Sequence, residues 1–177
     1  ITSKNPLEDE YRTDKLLELF DYNAAPINTY EDNEGVKYFV ENYSSLKISP
    51  NGMVEYSAVE DSKGLNLFAD SASRPTFYES LNKAVDFAES VWDAILPSAS
   101  FDALVTSDLI EGSADSSYRF TLDYYVEGNP VSVMLSDNTR NAVEIVMKNG
   151  VITSYRHLIR QYERTEHFKE NLSMAIS

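Results

Sequence analysis

Apolar residues recur along the chain with two different periods. Leu7, Tyr11, Leu16, Leu19 and Phe20 fall at roughly helical spacing, and Asn5-Pro6-Leu7-Glu8 offers a capping residue, a proline suited to the first helical position and an acid that complements the helix dipole. The spacing predicts a helix to about Phe20, ended by Asp21-Tyr22-Asn23 and Pro26. The period then becomes two. Val36, Tyr38, Val40, Leu46 and Ile48 are apolar at even positions, and Asn42 and Ser44 interrupt them as a bulge or bend would. Pro50-Asn51-Gly52 turns the chain, with Asn-Gly supplying positive backbone angles, and Val54, Tyr56 and Ala58 continue the alternation on the return strand.

Glu60 to Arg74 is rich in Ser, Asp and Gly, with Leu65, Leu67 and Phe68 as its hydrophobic island, and reads as a linker. Thr76-Phe77-Tyr78-Glu79 is a capping box for a helix whose apolar stripe is Leu81, Ala84, Val85, Ala88, Trp92 and Ile95, with Pro97 as its stop. A short strand is expected near Ala103 to Ile110, then a polar run from Glu111 to Ser117. Tyr118, Phe120, Leu122, Tyr124 and Val126 alternate with Arg119, Thr121, Asp123, Tyr125 and Glu127. Gly128-Asn129-Pro130, Asp137-Asn138 and Asn149-Gly150 divide the chain beyond Val126 into further strands, which predicts an antiparallel meander of four to five strands. Glu163 to Ser177 reads as a weak terminal helix carrying Phe168, Leu172 and Ala175.

The expected fold class is therefore α+β. Residues 1–60 form a helix-plus-antiparallel-sheet half, 61–75 a linker and 76–177 a second such half. One continuous sheet with helices on one face is the alternative. The halves rhyme: Tyr38-Phe39-Val40-Glu41 parallels Tyr124-Tyr125-Val126-Glu127, and each is followed by a strand and an Asn-Gly turn. The second interval is longer by about a hairpin. A divergent internal duplication explains the rhyme, and so does the general similarity of hairpins.

Charge narrows the partners. The 177 residues include 15 Lys and Arg against 29 Asp and Glu, a net charge of -14, which opposes binding to nucleic acid or anionic membrane surfaces. The absence of Cys excludes disulfides, thiolate zinc sites and cysteine nucleophiles. No run of about 18 apolar residues exists to span a bilayer. The chain opens with Ile1 rather than Met, which suggests removal of an upstream tag, signal peptide or membrane anchor.

The inventory of chemistry is sparse. His157 and His167 are the only histidines, and neither stands in a catalytic motif; sheet or surface histidines are the expectation. No G-x-S-x-G, H-E-x-x-H, phosphate loop or EF-hand loop occurs. Asp102, Asp108, Glu111 and Asp115 are spaced too loosely for a calcium loop and read as solvated charge. The sequence thus nominates no catalytic, cofactor-binding or metal-binding residue, and the chain is expected not to be an enzyme. A carboxylate hydrolase is the least supported class. A glycan- or peptide-binding domain is the alternative function, motivated by 12 Tyr and one Trp, although Trp92 lies on the buried stripe of its helix.

The stretch from Tyr38 to Tyr56, through Ser49-Pro50-Asn51-Gly52, resembles the YycH/YycI regulatory proteins of Gram-positive bacteria, as do Tyr124 to Val131 and Val143 to Tyr155. The similarity lies in strand and turn patterning over about two thirds of the chain, and PepSY-like domains share the style. It implies an extracytoplasmic domain, tethered by an N-terminal membrane segment, that modulates a sensor kinase governing cell-wall homeostasis. The implied partner is that kinase or a paralogous regulator, with no cofactor. No partner-binding motif can be carried over residue by residue.

Strand parity nominates a surface. Tyr125 shares the polar face of its strand with Arg119, Thr121 and Asp123, and continued alternation puts Phe39 and Tyr43 with Lys37, Glu41 and Lys47. Phe39, Tyr43 and Tyr125 are the candidate interaction residues. Packing against the other half or a helix is the competing expectation.

Overall fold

The structure, a computed structural model, describes residues 2–4, 10–22, 27–69, 73–96, 103–109, 117–126, 129–131, 133–135 and 138–163. The first elements are β1 (Thr2–Lys4), α1 (Glu10–Leu19), β2 (Asn28–Glu31), β3 (Lys37–Val40), β4 (Ser44–Ile48) and β5 (Met53–Ala58). A single 3-10 turn, Asp61–Lys63, leads to β6 (Leu65–Asn66) and α2 (Phe77–Ile95). Then come β7 (Ala103–Leu109), β8 (Ser117–Val126), β9 (Asn129–Val131), β10 (Val133–Leu135), β11 (Asn138–Arg140), β12 (Val143–Lys148), β13 (Val151–Leu158) and β14 (Gln161–Glu163). The fold is α+β. Eight strands make one antiparallel sheet in the order β2-β3-β4-β5-β13-β12-β8-β7, with β6 beside β13 and β9 beside β8. Two short pairs, β1 with β14 and β10 with β11, stand apart from it. Asn5 to Glu8, Pro26, Pro97, His167 and the terminal helix expected after Glu163 lie outside the described residues, as do Asp102, Glu111 and Asp115.

The helix ends follow local chemistry. Asp21 adopts φ 65 just past α1. The N–H of Tyr22 bonds to the Leu17 carbonyl at 2.9 Å and that of Asp21 to the Glu18 carbonyl at 3.1 Å, a Schellman closure with Asp in the position glycine usually takes. At α2 the predicted capping box is present: Thr76 Oγ1 accepts from the Glu79 N–H, and the Glu79 carboxylate accepts from the Thr76 N–H at 2.8 Å. Its buried stripe is Ala84, Phe87, Ala88, Val91, Trp92 and Ile95, while Leu81 and Val85 sit on the flank, half-buried.

Two turns show why Asn-Gly differs by context. Asn149 and Gly150 both have positive φ, 52 and 84, giving the two-residue hairpin that joins Lys148 to Val151. At Pro50-Asn51-Gly52 only Gly52 is positive, at φ 84. There the Gly52 N–H bonds to the Ser49 carbonyl and the Asn51 side chain accepts from the Met53 N–H at 3.0 Å, a three-residue loop with a glycine bulge.

The expectation of one interrupted strand from Val36 to Ile48 is corrected. The polar interruption is a reverse turn, closed by Glu41 N–H to the Ser44 carbonyl at 3.0 Å, and β3 and β4 form a hairpin with Phe39 opposite Leu46. Odd residues of β3 therefore share a face with even residues of β4. The simple meander is modified too: β8 pairs directly with β12, and β9 to β11 form an excursion between them. The sheet runs unbroken across the two expected halves, because β5 pairs with β13 from Ser57↔Ser154 to Met53↔Leu158.

Register defines the core. One cross-sheet row on the inner face runs Phe39, Leu46, Tyr56, Tyr155, Ile145, Phe120, and the next runs Ile48, Val54, His157, Val143, Leu122. All of these are buried. Both helices cover this face: Phe20, just after α1, contacts Tyr56 and Tyr155 with centroids 5.4 Å away, and Phe87 of α2 lies 5.3 Å from Tyr155. Aromatic pairs of this kind add about 0.5–1.5 kcal/mol each beyond area burial.

The expected linker contains Leu65 and Asn66, which pair with Ile152 and Val151. Beside them, a Cβ on Gly64 would stand 2.1 Å from the Ile152 carbonyl oxygen. That atom belongs to β13 and cannot yield without breaking the sheet. Gly64→Ala is expected to destabilise the protein by about 2–4 kcal/mol, read from the shift in urea midpoint, whereas Ser62→Ala nearby should change it by less than about 0.5 kcal/mol.

Candidate interaction surfaces

With both helices on one side, the other face of the sheet is left bare of them. Its central row, in register, is Tyr30, Tyr38, Lys47, Glu55, Arg156, Glu144, Thr121. Charge alternates along it, as cross-strand pairing favours. Lys47 Nζ lies 2.9 Å from Glu55 Oε2, and this bond holds the lysine pKa above its ordinary value. Half-exposed pairs like this one contribute little to stability and serve mainly to fix the face. At the end of the row Tyr30 and Tyr38 are stacked, centroids 4.6 Å apart and planes 6° from parallel. Tyr38 donates to Asp32 Oδ2 at 3.0 Å, and Asp32 Oδ1 accepts from the backbone N–H of Val36 and Glu34, which depresses its carboxyl pKa. Asp32 thus closes the β2–β3 turn and aims Tyr38. The sequence pattern missed this pair because β2 has no alternation of its own; all four of its residues are exposed.

Of the three nominated residues, Phe39 is placed in the core at 6% exposure and leaves the candidate surface. The reverse turn at residues 41–43 explains the error, since it inverts parity between β3 and β4 and sends Tyr38 outward instead. Tyr43 is 48% exposed in that turn, with Lys63 Nζ 5.0 Å above its ring. Tyr125 is 38% exposed on β8, on the outer face as its parity requires. The fold does not bring Tyr43 and Tyr125 together. They lie at opposite ends of the strands, and β4 and β8 are four strand spacings apart, about 19 Å.

His157 is fully buried on the inner face between two tyrosines. The Tyr124 hydroxyl donates to the Leu158 carbonyl at 2.7 Å, so it accepts from His157 Nε2–H at 3.0 Å. Nδ1 is then the bare nitrogen and accepts from the Tyr155 hydroxyl at 2.8 Å. Trp92 stacks over the imidazole with centroids 6.4 Å apart. Burial pushes the His157 pKa down to about 3 and that of Tyr155 well above its usual value. The ring is a neutral structural bridge, as expected of a sheet histidine.

A second polar seam lies under the β3–β4 turn. Tyr22 bonds Ser44 at 2.9 Å, and burial raises the Tyr22 pKa to about 12. Burial, then Asp21, raises the Glu41 carboxyl pKa. Finally, an open cleft of about 450 Å3 lies between α1 and the sheet edge, lined by Thr13, Asp14 and Leu17 from the helix and by residues of β2 and β3. No cluster of metal-ligating side chains occurs among the described residues.

Compared with known families, curated proteins and solved structures, the chain matches no family model, no curated protein and no solved structure.

Two measurements check this geometry. Phe39→Ala is expected to cost about 3–5 kcal/mol, while Tyr125→Ala should cost well under about 1 kcal/mol and leave the melting temperature nearly unchanged. For His157, the unfolded chain takes up a proton below its ordinary value of 6.5 and the folded chain does so only near 3. Its contribution to stability is therefore intact above pH 6.5 and is lost progressively as pH falls toward 3. Between pH 7 and pH 5 the loss should be about 2 kcal/mol, and His157→Gln should flatten the stability profile across that window by the same amount.

Proposed function

We propose that this chain is a non-enzymatic regulatory interaction domain that acts outside the cell membrane, in the manner its resemblance to YycH/YycI proteins implies. The observation that carries the reading is the outer face of the sheet, on which no helix packs among the described residues. Its ladder of alternating charges, exposed Arg119 and Tyr125, and stacked Tyr30 and Tyr38 make a broad surface of fixed polar pattern. Such surfaces select partners by charge complementarity and anchor them with aromatic and arginine side chains. The implied partner is a membrane sensor kinase or a paralogous regulator.

The same reading includes descent of the two halves from one unit. Each helix is followed by four strands that neighbour one another in chain order, β2 to β5 after α1 and β7, β8, β12, β13 after α2. The last strands of the two sets pair antiparallel at the centre of the sheet, and each follows an Asn-Gly turn. The excursion β9 to β11 accounts for the longer interval in the second half. These correspondences support duplication over the general likeness of hairpins.

Tyr30 on Tyr38 also suits sugar stacking, and a thermal-shift increase with cell-wall fragments would favour glycan binding instead. The regulatory reading is tested by cross-linked capture of the protein from its native membranes. A sensor kinase or paralogous regulator is expected, with recovery reduced at least about fivefold by Arg119→Glu combined with Tyr125→Ala. Recovery of no specific partner, or of the same partner undiminished by the double variant, overturns the assignment to this face.

A further inference from the structure

The sheet ends at β2, and no other strand pairs with its far side among the described residues. Which backbone groups face outward follows from the pairing. The Asp32 N–H bonds to the Val36 carbonyl, and the register pairs Glu31 with Lys37, Tyr30 with Tyr38, Thr29 with Phe39 and Asn28 with Val40. In an antiparallel ladder hydrogen-bonded positions alternate, so Tyr30 and Asn28 bond to β3, while Thr29 and Glu31 direct their N–H and C=O groups away from it. The β3–β4 side agrees, because the Glu41–Ser44 closure makes Phe39 a bonded position toward β4.

Natural edge strands are commonly blunted by lysine, proline or a bulge. Asn28-Thr29-Tyr30-Glu31 contains neither lysine nor proline, and its pairing with β3 has no register shift. The cleft of about 450 Å3 opens over β2 and β3 on the helix side of the sheet, walled by Thr13, Asp14 and Leu17 of α1. Leu17 and Phe39 give it an apolar floor. Asp14 and Glu31 are exposed residues of its lining, and Lys37, opposite Glu31 across the β2–β3 pairing, is its one basic residue.

We propose that β2 is a docking edge for an extended basic peptide, which adds to the sheet as a further strand beside β2 and turns alternate side chains into the cleft under α1. Main-chain bonds to Thr29 and Glu31 supply the attachment, as in other cases of strand addition. One side chain in two turns toward Leu17 and Phe39, and this selects an apolar residue there. Asp14 and Glu31 lie on this same inward side, so lysine or arginine is selected at the inward positions that flank the apolar one, against a chain whose net charge of -14 repels acidic segments. The site is separate from Arg119 and Tyr125, which lie on β8 near the other edge, so its failure and the failure of the outer-face reading are distinguishable.

The test titrates the folded protein with a blocked peptide of about eight residues that carries Lys, Val and Lys at successive inward positions and Thr between them, observed by amide NMR. Chemical-shift change and exchange protection are expected at the Thr29 and Glu31 amides. Replacing Lys by Glu in the peptide, or N-methylating alternate peptide nitrogens, should weaken binding by about tenfold or more. Thr29→Pro removes an N–H that β3 does not use and should cause a similar loss with little change in melting temperature. Should that variant fold poorly, Asp14→Lys on the exposed helix wall tests the charge requirement and should weaken binding at least about threefold. Binding that ignores N-methylation, absence of any response at Thr29 and Glu31, or binding unaffected by Asp14→Lys overturns the proposal. So does self-association through β2 in the absence of peptide, which would make a second copy of the chain the occupant.

Discussion

Four aromatic rings hold the two parts of the molecule together. Tyr56 and Tyr155 face each other across the β5–β13 pairing, Phe20 from the end of α1 packs on both, and Phe87 of α2 closes the group from above. Both helices and both sets of four strands meet there. Removing such a ring costs about 3–5 kcal/mol against a total stability of about 5–15 kcal/mol for a domain of ordinary stability. The neighbouring His157 bridge depends on the same tyrosine, since the Tyr155 hydroxyl satisfies Nδ1. Aromatic packing and buried hydrogen bonding are therefore coupled at one point of the sheet.

Much of this architecture was legible where local signals were self-sufficient. The alternation in β8 fixes which face is buried, and Thr76 with Glu79 marks the start of α2 without reference to anything else. Phe39 shows the limit. Its parity depends on whether residues 41–43 are a bulge or a reverse turn, and either allows the same composition while inverting every side chain on one side of it. β2 was missed for a different reason: its exposed residues carry no period, and it exists as a strand because β3 offers it a ladder. The union of the halves through β5 and β13 rests on pairing between segments about 100 residues apart, which no local pattern encodes.

The candidate surfaces follow from one-sided cover. Both described helices lie on the inner face, and along the central outer row alternating Lys, Glu and Arg keep charge balanced across each strand pair. That regularity makes the face specific in pattern without making it sticky. The edge at β2 has the opposite character, with main-chain groups that no other strand engages among the described residues and apolar Leu17 and Phe39 in the adjoining cleft. The molecule thus presents one broad electrostatic surface and one narrow backbone-directed one, and these suit different kinds of recognition.

The central position of β5 and β13 also governs how the chain reaches its native state. Each is a terminal strand of its own set of four until it finds the other, so a nascent first half carries Met53, Val54 and Tyr56 on an open, hydrophobic edge. Closing a loop of about 100 residues costs on the order of 4 kcal/mol before the pairing returns anything, which raises contact order at the most important seam of the sheet. The same seam offers an exchange route, because β5 of one molecule fits β13 of another as well as its own. Folding speed and fidelity in this protein are set at the junction that gives the finished structure its strength.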